Sequence, residues 1–416
     1  MTARIIQLLK KDAICFFMAN ILFSVSTMII NILLPKILPT VVFTDFIYIF
    51  QMVFFLTTVF QIGLVVGLYH FIEQDRQKTL NIYYLSVGSL MILLLAFALW
   101  PDNPLLSALN LNGIGRGQQM AFFASVIVSE IFLYNKGKNV ADKDYRYMMR
   151  ISVTVFLFRM IALAVIGLTH ITDISLILAL VFIIPFVQDI RDFVVNSCRY
   201  VRLGLVSGNL LQQLLVYSLK VWVIGALFII SDKMFLISTK GLDVSFTTAL
   251  AFCSGFVGII SLFNSSFTNY FMSNLSSSRI DEIRRHINRL FKLAPLYVLM
   301  LLVVCGLVSG GIFLTYPNMG MIAPMVAFII LLRTGLISYL GMFSLLTKVM
   351  DMLNIEIALN VCRVVWTAVL CYMWQPENIL IWFTIVTFMI LLPELLLTII
   401  TIKRVNTQAK QLVTIQ

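Results

Sequence analysis

Charge is what this sequence has least of. Only 12% of its 416 residues are Asp, Glu, Lys or Arg, where a soluble domain carries about 25%. The three histidines, His70, His170 and His286, lie far apart and beside no cysteine cluster, so no metal-ligating set is present. The six cysteines form no CxxC pair, and all but Cys198 sit in apolar segments. They read as small buried hydrophobes. Walker loops, kinase motifs, nucleophile elbows and HExxH are all missing. No catalytic residue, metal or cofactor is therefore expected. A nucleic-acid-binding domain, a secreted disulfide scaffold and a soluble enzyme are excluded by the same scarcity of polar surface. A primary pump or standard hydrolase is disfavoured.

What the chain has is apolar length. Sixty per cent of it is hydrophobic, and twelve crossings of about 20 residues would use roughly 240 positions. Apolar runs and flanking charges predict an all-α polytopic membrane protein. The spans are 13–34, 46–71, 82–100, 120–134, 151–168, 171–187, 214–231, 247–271, 293–314, 321–346, 353–374 and 379–400. The longest interior break in hydropathy, 188–213, predicts two six-helix bundles, 1–187 and 214–416, joined by a cytoplasmic connector. Six is even, so both halves start on the same side, as parallel repeats do.

Lys and Arg set the direction. With the N-terminus inside, 23 of the thirty basic residues fall in inner segments, and four, Lys36, Arg116, Lys233 and Lys240, fall outside. The positive-inside rule then places both termini in the cytoplasm. The net charge of +11 belongs to these loops and to contact with anionic lipid head groups, not to a nucleic-acid partner. Segment 279–292 reads as a basic amphipathic helix on the inner membrane face.

Three basic residues remain, and each is central in its span: Arg159, Arg333 and Arg363. A central Arg costs about 2.5–3.5 kcal/mol on insertion scales. Glu394 is the one acid clearly inward from a span end, with Glu130 and Glu356 about one turn in. By this count the arginines are short of acidic partners. Two readings follow: arginines that staple helices together, or a water-filled cationic cavity that receives an anion. Polar stripes at helical spacing accompany them. They comprise Asn20, Ser24, Thr27 and Asn31; Tyr48, Gln51 and Thr58; Ser254, Ser261, Ser265 and Thr268; Glu356, Asn360, Arg363 and Thr367; and Thr384, Thr387 and Glu394. Ser and Thr stripes alone also serve as helix glue.

Several stretches resemble the polysaccharide transporter group of the MOP exporter superfamily, the Wzx-type flippases of lipid-linked oligosaccharides. One runs through Ala19-Asn20, Leu33-Leu34-Pro35-Lys36-Ile37-Leu38, Phe46-Ile47-Tyr48, Gln61-Ile62-Gly63-Leu64 and Tyr69-His70-Phe71-Ile72. Others are Ser231-Asp232-Lys233-Met234-Phe235-Leu236-Ile237 and Ser273-Asn274-Leu275-Ser276 with the basic helix behind it. The chain departs from that pattern at Pro39 and Asp45, where the family often has glycine.

The resemblance implies a V-shaped, MATE-like exporter with twelve helices in two bundles. It would turn an undecaprenyl-pyrophosphate-linked O-antigen or capsule repeat unit from the cytoplasmic to the periplasmic leaflet by alternating access. The location would be the bacterial inner membrane. The protein would be a monomer, in association with polysaccharide polymerase machinery. Arg159, Arg333 and Arg363 would meet the pyrophosphate and acidic sugars. Asn20, Asn31, Gln51, Gln61 and Asn360 would meet sugar hydroxyls. Glu394, Glu356 or Glu130 would couple transport to H+ or Na+.

The competing readings are an ion-coupled multidrug or major-facilitator antiporter and, in a different class, a membrane-embedded O-antigen polymerase or ligase. A major-facilitator protein would show a Gly-rich basic loop after its second helix, and Glu73–Lys78 lacks the glycines. A multidrug antiporter would favour acids at mid-membrane. A polymerase would carry a large outer loop with Arg and His, whereas the longest outer loop, 101–119, has one Arg and no His.

The topology is testable by labelling single cysteines placed in a cysteine-free background. Membrane-impermeant reagent added from outside should modify cysteines at positions 110 and 241 and spare those at 140 and 285. The reverse pattern would overturn the orientation.

Overall fold

The computed structural model describes residues 2–101, 103–202, 204, 208–240, 242–258, 260, 280–349, 352–373 and 378–415. Every described element is a helix or helical turn. They are α1 Thr2–Ile37, α2 Thr40–Phe60, α3 Leu64–Phe71, α4 Arg76–Leu99, α5 Pro104–Ala108, α6 Arg116–Ala141, α7 Tyr145–Thr169, α8 Ile174–Leu178, α9 Val187–Tyr200, α10 Gly208–Thr239, α11 Val244–Ser254, α12 Ile280–Thr315, α13 Ile322–Val349, α14 Leu353–Tyr372, α15 Ile379–Met389 and α16 Leu392–Ile415.

Ten helical segments among the described residues are long and apolar enough to cross a membrane. Two more expected crossings are present in altered form. α6 has 26 residues, long enough to span, but carries the polar run Glu130, Asn135, Lys136, Lys138 and Asn139. α11 is apolar but short. Residues 259 and 261–271 of the expected eighth span lie outside the described residues, with Ser261, Ser265 and Thr268 of its polar stripe, as does the Ser273-Asn274-Leu275-Ser276 stretch.

The chain divides into two compact units, Met1–Ile229 and Ile230–Gln416. The division falls inside α10, downstream of the 188–213 connector expected from hydropathy. Part of that connector is itself helical, as α9. Close packing inside the first unit explains why it takes in the start of α10. Gly63 and Gly67 bring α3 against Leu214 and Ser218 of α10 so closely that a Cβ at either glycine would overlap Ser218.

Gly63 also ends a break in the second crossing. Ile62 and Gly63 both have positive φ, 42° and 60°, a left-handed turn that only glycine adopts without strain. Such a turn frees backbone carbonyls in a region without water, where each needs a donor. The donors are side chains. Trp222 Nε1 donates to the Val59 carbonyl at 2.5 Å, and Tyr134 Oη donates to the Gln61 carbonyl at 2.8 Å. The Tyr134 carbonyl in turn accepts from Tyr83 Oη at 2.8 Å.

Within the first unit α1 packs along α7, while α6 touches α2, α3, α4, α8 and α9. The sixth crossing is irregular: α8 passes through a π turn, Ala179–Ile183, and a 3-10 turn, Ile184–Phe186, before α9. Pro185 has no N–H to continue the α-helical ladder, which accounts for the tightened turn. In the second unit α13 is central, packed on α11, α12, α14, α15 and α16. Short caps close the helix ends. Asp75, for example, accepts from Lys78 N at 3.1 Å, and the hydrogen bond from the Lys78 side chain holds its carboxyl below the usual carboxylate range.

Gly63→Ala should destabilise the protein by about 1–3 kcal/mol, through a left-handed alanine and a clash with Ser218. Gly88 in α4 has open space around it, so Gly88→Ala should be neutral or stabilising by up to about 1 kcal/mol. Paired thermal melts in detergent check both.

Candidate functional site

In the second unit four helices bring five ionised side chains to a common network, two of them from α10. Arg333 on α13 pairs with Asp232 on α10. Arg363 on α14 pairs with Glu394 on α16 at 2.6 Å. Arg363 also donates to Asn360 Oδ1 at 2.8 Å, one turn earlier on the same face. Asn360 Nδ2 is tied to the Glu356 carbonyl at 2.9 Å. Lys233 Nζ lies 3.9 Å from Asp232, and Arg363 is within electrostatic reach of Asp232 as well. Arg363 is 2% exposed and Arg333 9%, so both pairs are removed from bulk water.

This corrects the expectation that the central arginines lack acidic partners. The missing acid is Asp232. Hydropathy ended the seventh span at 231 and put Lys233 outside, because a charged pair interrupts the apolar run. The helix continues to Thr239, since Arg333 neutralises Asp232 inside the bundle. The apolar residues Met234 to Ile237 after the pair were the available signal.

A small cavity opens beside this network. Asp232, Lys233, Arg333, Ser254 and Thr387 supply its polar lining, and Phe235, Phe383 and Ile390 part of its apolar wall. The aromatic wall is itself packed: Phe235 lies 4.7 Å from the Trp382 ring and 4.9 Å from Phe383. Lys233, Arg333 and Arg363 stand here with Asp232 and Glu394. Glu356 lies two turns before Arg363 on α14, buried. The site as built offers cations, hydroxyls and aromatic faces together.

The first unit treats its central arginine differently. Arg159 on α7 is 1% exposed and donates to Ser26 Oγ at 2.8 Å and Thr27 Oγ1 at 2.9 Å on α1. Its guanidinium lies over Phe23 and Phe186 at 5.0 and 5.3 Å, at cation–π range. Among the described residues no carboxylate pairs with it.

The remaining expected site residues are scattered through this unit. Asn20 Oδ1 accepts from Lys136 Nζ at 2.7 Å. Asn31 is buried with neither side-chain polar atom hydrogen-bonded. Gln51 is buried in α2. Gln61 stands at the α2–α3 break, where its carbonyl rather than its amide makes the contact described above. Of the three acids expected to couple an ion, Glu394 is paired and Glu356 is one turn from Asn360. Glu130 is fully buried with both carboxylate oxygens lacking a partner.

No protein-family model and no curated protein matches the chain. Solved structures do. The crystal structure of the eukaryotic MATE transporter AtDTX14 is similar at a TM-score of 0.61 and 10% identity, over 96% of both chains. A MOP superfamily transporter from Pyrococcus furiosus Vc1, whose structure is titled for the reverse polarity of its binding pocket, is similar at a TM-score of 0.49 and 12% identity, over 93% of this chain and 95% of that one. The chain therefore has the all-helical fold of a MATE transporter along nearly its whole length.

Arg363→Ala leaves Glu394 buried and uncompensated, a loss of about 3–5 kcal/mol. Membrane-inserted protein should fall. Replacing Glu394 by Gln in the same chain should restore much of it, because the stranded charge is then gone. Quantitative immunoblots of membranes and thermal melts of the single and double variants measure this.

Proposed function

We propose that this protein is a flippase for a lipid-linked, anionic oligosaccharide, which it carries across a bacterial inner membrane by alternating access of its two units. The observation that carries the reading is the cavity of the second unit, where Lys233 and Arg333 share the lining with Ser254, Thr387 and aromatic rings. A multidrug cation exporter has no use for such a lining. A pyrophosphate or an acidic sugar does, since Arg and Lys meet phosphate and carboxylate with charge-assisted hydrogen bonds. Ser254 and Thr387 suit sugar hydroxyls, and the Phe235–Phe383 wall suits the apolar face of a sugar ring. The lipid tail need not enter, because it can stay in the bilayer while the head group crosses.

The fold supports an exporter, and the sequence resemblance supports the repeat unit of O-antigen or capsule as its cargo. Transport would be coupled to H+ or Na+. Of the expected coupling acids, Glu130 suits this role best, since it is buried and neither carboxylate oxygen has a hydrogen-bond partner among the described residues. The protein works as a monomer beside the polymerase that consumes the flipped unit, with both termini in the cytoplasm.

Expression in a strain lacking its own repeat-unit flippase should restore surface polysaccharide. The double change Arg333→Ala with Asp232→Ala removes one charge of each sign, so insertion should survive while export falls at least tenfold. Arg333→Lys should keep part of the activity, because a mobile ammonium still supplies charge. Full export by the inserted double variant would remove this cavity from the mechanism.

A further inference from the structure

The basic segment at the start of α12 has no part in the cavity network. Its register is fixed from the inside. Ile287 and Leu290 are buried against Tyr339, Met342 and Phe343 of α13 and Val405 of α16. Tyr339 Oη donates to the Leu290 carbonyl at 2.5 Å, and Tyr297 Oη donates to the Gly335 carbonyl at 2.9 Å. With that face turned inward, the opposite face of α12 looks outward. Arg285, Arg289 and Lys292 lie on it at steps of four and three, and all three are exposed. The same stripe runs on through Leu296, Leu299 and Val303, again at steps of four, three and four, and these too are exposed. One helix face thus carries three cations and then an aliphatic track.

The cations are set against one another. Like charges three and four residues apart repel on a helix. Asp281 and Glu282 stand one turn before Arg285, but no Asp or Glu occurs from Ile283 to Met350. Arg289 and Lys292 therefore have no acid within helical reach on their own element. The end of α16 adds Lys403 and Arg404, both exposed beside the buried Val405.

We propose that Arg285, Arg289 and Lys292 hold the head group of one anionic phospholipid, whose acyl chains lie along Leu296, Leu299 and Val303. A phosphate among the cations turns their repulsion into attraction, and Arg and Lys meet its oxygens with charge-assisted hydrogen bonds. The lengths agree. From Lys292 to Val303 the helix rises about 16 Å, and half of the hydrocarbon core is about 15 Å. The cations then sit at head-group level while the aliphatic track crosses one leaflet. The positive-inside count assigns that end of α12 to the cytoplasm, so the lipid belongs to the inner leaflet. A soluble anion would leave the track unused. The site goes beyond the flippase reading and stands without it, since it lies on an outward face, apart from the cavity, and needs no cargo.

The experiment is native mass spectrometry of the full-length protein, delipidated in detergent and titrated with phosphatidylglycerol. Phosphatidylcholine with the same chains is the zwitterionic control. The first phosphatidylglycerol should bind at least tenfold more tightly than the first phosphatidylcholine. Each Lys or Arg near an anionic head group strengthens binding about fivefold. Arg289→Gln with Lys292→Gln should therefore weaken phosphatidylglycerol at least tenfold and leave phosphatidylcholine unchanged. Arg289→Lys with Lys292→Arg keeps the charge and should keep the binding. Lys403→Gln with Arg404→Gln removes equal charge away from the stripe and should cost less than threefold. Inorganic phosphate in about hundredfold excess should not displace the lipid.

If the Gln variant inserts poorly, the wild type still decides. Raising ammonium acetate from about 0.15 M to about 1 M shortens the screening length, and should weaken phosphatidylglycerol alone. Equal affinity of the wild type for the two lipids would overturn the site, as would an unchanged affinity in the Gln variant. An equal loss in the Lys403, Arg404 variant would replace it by diffuse attraction to a basic surface, and displacement by phosphate by a soluble-anion site. None of these results bears on complementation by the flippase.

Discussion

A guanidinium stays protonated under all ordinary conditions. Inside a membrane it must therefore be met by a carboxylate, by hydroxyls and rings, or by water. That requirement sets the rotational register of the second unit. Arg333 on α13 turns toward Asp232 of α10, and Arg363 on α14 toward Glu394 of α16. Each helix then presents one face inward, and the apolar residues of its other face go to neighbours or lipid. Exposed Leu and Val on α12, and exposed Val361, Val365 and Val369 on α14, are what such a register leaves outside. Removing any one member strands its partner, so the network is specified as a unit.

The first unit meets the same constraint with different chemistry. Arg159 is held by two hydroxyls and two phenyl rings. The α2–α3 break is closed by an indole and a phenol. Glu130 is left without a hydrogen-bond partner among the described residues, while Asp189 shares a cavity with Lys136. The first unit thus leaves its central arginine to neutral groups, and the second pairs its two with acids.

Apolar length made the helices legible in the sequence, and the charge count gave their expected direction. Their ends were less legible. Hydropathy reads a charge as water, so Asp232 and Lys233 were placed outside a helix that continues past them, and Asp189 fell into a supposed connector. In both cases a tertiary partner or cavity keeps the charge within the bundle, and no local pattern encodes it. Arg363, Asn360 and Glu394 stood out in the sequence because two of them share a helical face and the third is an acid set inward from a span end. The break at Ile62–Gly63 was not, although Gln61 and Gly63 interrupt an otherwise apolar run. Its stability depends on Tyr134 and Trp222, which are distant in sequence.

The way Arg159 is held has a consequence for how the chain enters the membrane. Its two hydroxyl partners precede it by 133 and 132 residues. Synthesis and insertion proceed from the N-terminus, so α1 is already in the bilayer when α7 leaves the ribosome. A central Arg is among the least favoured residues for the translocon to release into lipid. Ser26, Thr27 and Phe23 on α1 offer it a berth at the moment of release. Defects in the first helix are therefore expected to show as failed biogenesis of α7, four crossings downstream.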